Sequence, residues 1–107
     1  MQTKTILMAS TLDYIEFVCS QISEAGTIRT KKMFGDWLIY IDDKPAVLVC
    51  DNTCYIKIFP EIKKMMKDAQ IGCPYPGAKK HYILDIEHKR EALDIIKTIL
   101  PLIKNKS

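Results

Sequence analysis

Four cysteines and two histidines are the residues in this chain best suited to metal or nucleophile chemistry. Cys50 and Cys54 flank a short turn, Asp-Asn-Thr, that could bring two sulfurs together. Adding Cys73 and His81 gives a four-ligand set for zinc, or a thiolate with a base for nucleophilic catalysis. The spacing is not that of a zinc ribbon. Cys50 and Cys54 also lie in strand-like stretches, where small apolar side chains belong. Buried free thiols are the better reading, so neither a metal nor a cofactor is expected. A thiol nucleophile would need a histidine and an orienting carboxylate within reach. His81 and His88 are the two histidines, and sequence alone places neither beside a cysteine.

Two other stretches could hold an anion or a partner. In Lys31-Lys32-Met33-Phe34-Gly35, a backbone bend at Gly35 is flanked by Arg29 and two lysines. Phosphate loops use a richer glycine pattern ahead of a helix. Gly35 stands between strands instead, so it is read as a bend or bulge glycine, with Met33 and Phe34 packed in the core. In Pro74-Tyr75-Pro76-Gly77-Ala78-Lys79-Lys80-His81, an aromatic ring sits between two prolines and is followed by cations. A stiff, exposed tyrosine beside lysines suits an acidic partner peptide or a phosphate-bearing ligand. Lys63, Lys64 and Lys67 add charge on a later helical stretch, where a solvated face is the simpler reading. No pair of carboxylates stands at a plausible cleft, so there is no hydrolase case.

These residues must be positioned by a single domain. The chain has 107 residues, of which 48% are apolar and 27% charged, with a net charge of +3. That is enough for one core and mildly basic, short of a committed nucleic-acid binder. The N-terminus lacks the long apolar segment of a secretory signal, and no apolar run approaches a membrane span. The expected location is the cytoplasm, which also favours free thiols. Residues 1–7 read as a loosely specified leader, and 8–107 as one domain.

The pattern predicts a helix over 11–25, with Ser10 and Asp13 as a capping-box-like start and Gly26 past its end. Strands follow at 27–34, 37–41, 46–50 and 54–59, joined by short turns as an antiparallel meander. A helix from Pro60 with an apolar side of Ile62, Met65, Met66 and Ala69, a strand at 81–86 and a long helix over 88–104 complete the chain. The predicted class is α+β, in the order α-β-β-β-β-α-β-α, with an antiparallel sheet of about five strands packed with helices in two layers. Strands 37–41 and 46–50 are apolar on both faces. Trp37, Ile39 and Ile41 point one way and Leu38 and Tyr40 the other; Val47 and Val49 oppose Ala46, Leu48 and Cys50. A sheet with one face in water should alternate. Either the first and last helices split across the two faces, or the second face meets another protein. Three helices can hardly cover both faces of five strands, so a partner is expected, a second copy of the same chain being the first choice.

The stretches RTKKMFGDWLIYIDDKPAVLV, CYIKI and PYPGAKKHYIL resemble the amino-terminal domain of the TfoX (Sxy) family of bacterial competence regulators. Lys32, Met33, Phe34 and Gly35 match one family motif, Tyr55 and Lys57 a second, and Pro74, Tyr75, Pro76, Gly77 and Lys79 a third. The resemblance spans residues 8–104. It implies a fold similar to the type III secretion chaperones. It also implies a role in regulating transcription of DNA-uptake genes, and it brings no catalytic residues. Full-length family members carry a second, carboxy-terminal domain, so this chain reads as a stand-alone amino-terminal module.

The expected function is non-enzymatic: binding a protein partner such as a transcription regulator, and self-association through the exposed sheet. Tyr75, Lys79 and Lys80, with Lys31 and Lys32, are the expected contact residues. A direct nucleic-acid face would need Arg29, Lys31, Lys32, Lys63, Lys64, Lys79 and Lys80 on one side. A small metal- or thiol-dependent enzyme would need Cys50, Cys54, Cys73 and His81 together.

Overall fold

A computed structural model describes residues 10–33 and 35–104. Helix α1 (Leu12–Ile22) is followed by a 3₁₀ turn (Ser23–Ala25). Four strands come next: β1 (Ile28–Met33), β2 (Asp36–Ile41), β3 (Lys44–Cys50) and β4 (Thr53–Ile56). A 3₁₀ turn (Pro60–Ile62), β5 (Ile71–Gly72), β6 (His81–Ile83), helix α2 (Lys89–Ile99) and a last 3₁₀ turn (Leu100–Leu102) complete the chain. Among the described residues the fold is an open, fully antiparallel six-stranded sheet, ordered β1-β2-β3-β4-β6-β5, with two α-helices: an α+β architecture.

Two hairpin turns set the register. Asp42 and Asp43 join β2 to β3, and Asp51 and Asn52 join β3 to β4; all four have positive φ, between 51° and 64°. Two consecutive left-handed residues are the type I′ arrangement, whose twist matches that of the strands, and Asp and Asn tolerate it better than most residues. The first loop was expected to be the four residues Asp42 to Pro45. It closes in two, so Lys44 and Pro45 belong to β3, and Pro45 stands opposite Tyr40 where the register shifts. An interrupted ladder is where a residue without an N–H fits.

Side chains anchor the remaining connections. Thr11, not Ser10, caps α1 by accepting a hydrogen bond from the Tyr14 amide (3.2 Å). Ser10 Oγ instead accepts from the Asn52 amide (2.9 Å), while Asn52 Oδ1 accepts from the Thr11 amide (3.0 Å), tying the start of α1 to the β3–β4 turn. Gln21 donates to the Ile86 carbonyl (2.9 Å), and Lys44 donates to the Leu100 carbonyl at the end of α2 (2.9 Å). Asp42 Oδ1 accepts from the Thr27 amide (2.8 Å). A Cβ at Gly26 would lie 2.6 Å from the same carboxylate, so any larger residue must push Asp42 aside. Gly26→Ala is expected to displace Asp42 and lower stability by about 1–3 kcal/mol. An unchanged urea midpoint would contradict that.

One core lies between the helices and one face of the sheet. Ile15, Val18 and Ile22 of α1 and Ala92, Ile96 and Ile99 of α2 are buried there against Ile39, Ile41, Val47, Val49 and Ile56. The expected helix over 60–69 is the main departure. Beyond the 3₁₀ turn, residues 63–68 form turns, because only Ile62 and Met66, one turn apart, are buried; Met65 is 45% exposed. Strand β5, which pairs Ile71 with Tyr82 and Gly72 with His81, was not expected. The leader at 1–7 lies outside the described residues, as does Phe34. No described helix is long and apolar enough to cross a membrane.

Candidate functional site

The strand pairing arranges the second face of the sheet. Lys31 pairs with Leu38, Leu38 with Leu48, Leu48 with Tyr55 and Tyr55 with Ile83. These residues form a single cross-strand row over five strands. Both helices pack on the opposite face, so the row is helix-free among the described residues. Leu38, Leu48, Tyr55 and Ile83 are each half-buried, the state of apolar side chains standing on an uncovered sheet. Gly72 extends the row: a Cβ there would touch Ile83 Cδ1 and Tyr55 Cε1, both at 3.5 Å. Beside it, Tyr40 is covered by the Arg29 guanidinium, 4.0 Å from the ring centroid, and Arg29 reaches Asp43 at 3.6 Å. The His81 ring stands edge-on to Tyr55 with centroids 6.4 Å apart, and its Nδ1 lies 2.8 Å from the Lys79 carbonyl. Burial of Tyr55 raises its phenol pKa.

The Tyr75 loop joins β5, an edge of the sheet, to β6. Tyr75-Pro76-Gly77-Ala78 is a turn closed by the Ala78 amide on the Tyr75 carbonyl (3.0 Å), with Gly77 at φ 88°. Pro followed by a positive-φ Gly is the type II pattern. A Cβ on Gly77 would meet nothing within 4 Å, so the glycine serves the backbone conformation alone. Tyr75 is 51% exposed, and Lys79 and Lys80 are exposed too. Pro74 is half-buried, Pro76 is exposed, and Lys57 is exposed just past β4.

The expected contact residues do not form one patch. Lys31 and Lys32 lie on β1, five strand spacings from β5, or roughly 24 Å across the sheet. Lys32 pairs with Trp37 on the helix side, its ammonium 5.8 Å from the indole, while Lys31 faces the apolar row. Met33 does not join the core; it is half-buried at the end of β1. Gly35, at φ 86°, turns β1 into β2 between Met33 and Asp36, which pair. The seven basic residues of the nucleic-acid alternative are likewise split: Arg29 and Lys31 share the outer face, whereas Lys64 lines a cleft beside α2.

The thiols are separated too. The β3–β4 loop has two residues, so Cys50 pairs with Thr53 and Cys54 with Val49. Cys50 therefore stands on the outer face and Cys54 on the core face. Cys54 Sγ lies 3.5 Å from Tyr14 Oη, and burial pushes this thiol up to about 11 and raises the tyrosine. Burial, then the Asp36 carboxylate, pushes Cys50 up to about 12. Cys73 is exposed and Cys19 is intermediate. At pH 8 a pKa of about 12 leaves Cys50 thiolate at only about 1 part in 10,000. A thiol reagent should therefore label Cys73 fast, Cys19 more slowly, and Cys50 and Cys54 only on unfolding. Fast release of four equivalents from native protein would contradict this. Among the described residues no group of three or more His, Cys, Asp or Glu is placed to hold a metal. His88 Nδ1 lies 2.6 Å from Asp85 Oδ2, fully exposed, and that bond raises the histidine pKa.

The family model of the TfoX N-terminal domain matches residues 20–94. A Spirochaeta aurantia protein described as an uncharacterized 12.7 kDa protein in the trpE 5′ region is 33% identical over 78 residues, covering 73% of this chain and 68% of that protein. The chain belongs to the TfoX N-terminal domain family.

Proposed function

We propose that this chain is a non-catalytic regulatory module that works by binding protein through the helix-free face of its sheet. The observation that carries the reading is the row Leu38–Leu48–Tyr55–Ile83, continuous over four strands and covered by no described helix. The first partner is a second copy of the chain, since a flat apolar row complements itself about a two-fold axis. Membership of the TfoX N-terminal domain family supports a role tied to competence and the transcription of DNA-uptake genes, exercised through a transcription regulator as further partner. Tyr75, Lys79 and Lys80, on the loop beyond β5, are the contacts assigned to that regulator. The work is assigned to the cytoplasm.

The face is modest. The six strands hold 28 residues, which at about 4.8 Å by 3.3 Å each give roughly 440 Å² in projection, a small patch beside the ~800 Å² of accessible surface each partner buries in a standard interface. The self-association is therefore weak and concentration-dependent. Sedimentation velocity from micromolar to millimolar protein should show monomer passing to dimer; a monomer throughout would remove the second copy as partner.

A further inference from the structure

Beside the sheet, α2, the loop 84–87 before it and the segment 64–70 enclose an open cleft of about 780 Å³. That is within the range of about 300–1,000 Å³ typical of ligand sites. Its lining includes exposed Met65, the edges of the buried Met66, Leu84 and Ile95, and the Tyr14–Cys54 pair. Met65 is 45% exposed, and an unbranched thioether adapts to varied apolar surfaces. Around these residues stand Asp68, Glu87, Glu91 and Asp94, none of them in an ion pair closer than 4.0 Å among the described residues. Asp85 is also present but is engaged by His88. Lys64 and Lys67 offset part of the charge. Four carboxylates against two lysines still leave a cleft of net negative charge on a chain whose net charge is +3.

We infer that this cleft receives a basic amphipathic helix from a partner protein, as a second site that shares only Ile83 with the sheet row. Exposed Met65, with the edges of Met66, Leu84 and Ile95 that reach the cleft, takes one or two apolar side chains of the helix, and its lysines or arginines meet Glu87, Glu91 and Asp94. The walls are a helix and a run of turns, so a partner cannot add a strand here and must present side chains. The complementary charges set orientation and speed the encounter, and their effect weakens with salt.

The probe is an 18-residue amidated Leu/Lys amphipathic peptide, with a Leu/Glu peptide of the same pattern as control. Binding is followed by fluorescence anisotropy and by the ¹³C-methyl resonances of the methionines. The Leu/Lys peptide should bind with micromolar Kd at low salt and shift the methyls of Met65 and Met66, leaving Met33 on the sheet unmoved. Exposed Glu91→Lys with Asp94→Lys should raise Kd at least tenfold, as should Met65→Lys, while circular dichroism stays native. Leu48→Lys, on the sheet, should leave Kd unchanged, which separates this site from the sheet-face reading. Shifts at Met33 alone, a charge reversal without effect, or equal binding of the Leu/Glu peptide would overturn the inference.

Discussion

Ile39→Ala is expected to lower the unfolding free energy by about 3–4 kcal/mol, and Leu38→Ala, one residue away, by less than about 1 kcal/mol. Successive strand side chains point to opposite faces. Ile39 is fully buried between the sheet and the helices, so truncation leaves a cavity lined by rigid neighbours. Leu38 stands on the uncovered face, where water already touches part of it and refills what the truncation leaves. For a domain near 100 residues, the Ile39 loss corresponds to a fall in Tm of roughly 15–20 °C. The measurement is paired urea unfolding at low protein concentration, where self-association does not contribute. Equal losses at the two positions would mean that the outer face is as closely packed as the core.

How far the sequence can be read follows from the distance over which each feature is decided. The two-faced character of β2 and β3 was legible, because alternation is strictly local and both strands lack a polar side. The assignment of Trp37, Ile39 and Ile41 to one face and Leu38 and Tyr40 to the other matches the observed register. The Cys50–Cys54 geometry was not legible, since one residue of loop length decides it. A three-residue turn would have left both sulfurs beside the turn, whereas the two-residue Asp51–Asn52 loop sends them to opposite faces. The stretch after Pro60 carried genuine helix-start signals. They were outweighed because too few of its apolar residues find a surface to bury against, and Met65 points to solvent. The two residues of β5 are too few to leave any periodic signature. The cleft beside α2 depends on how three segments distant in sequence stand against one another, so no local pattern announces it. Of the expected contact residues, the exposure of the Tyr75 loop was readable from its prolines and Gly77. The separation of Lys31 and Lys32 from that loop required the strand order.

The second large effect concerns the sheet row itself. Leu48 is its centre, paired with Leu38 on one side and Tyr55 on the other. In a two-fold dimer each substitution occurs twice, so Leu48→Lys sets two ammonium groups into one apolar contact. Loss of the leucine contacts and desolvation of the two charges together cost about 3 kcal/mol or more, or at least 100-fold in the dimer Kd. The folded monomer should tolerate the change, since a long lysine stem can lie along the row with its charge in water. Leu12→Lys is the matched control: Leu12 is 59% exposed at the start of α1, away from the sheet face. The most direct test is sedimentation equilibrium of the native chain, Leu48→Lys and Leu12→Lys at matched concentrations. The account predicts a native chain and a Leu12→Lys variant that dimerise alike, and a Leu48→Lys variant that stays monomeric while keeping its native circular dichroism. A Leu48→Lys variant that dimerises as tightly as the native chain would contradict it, because the helix-free face would then not be where the chain binds.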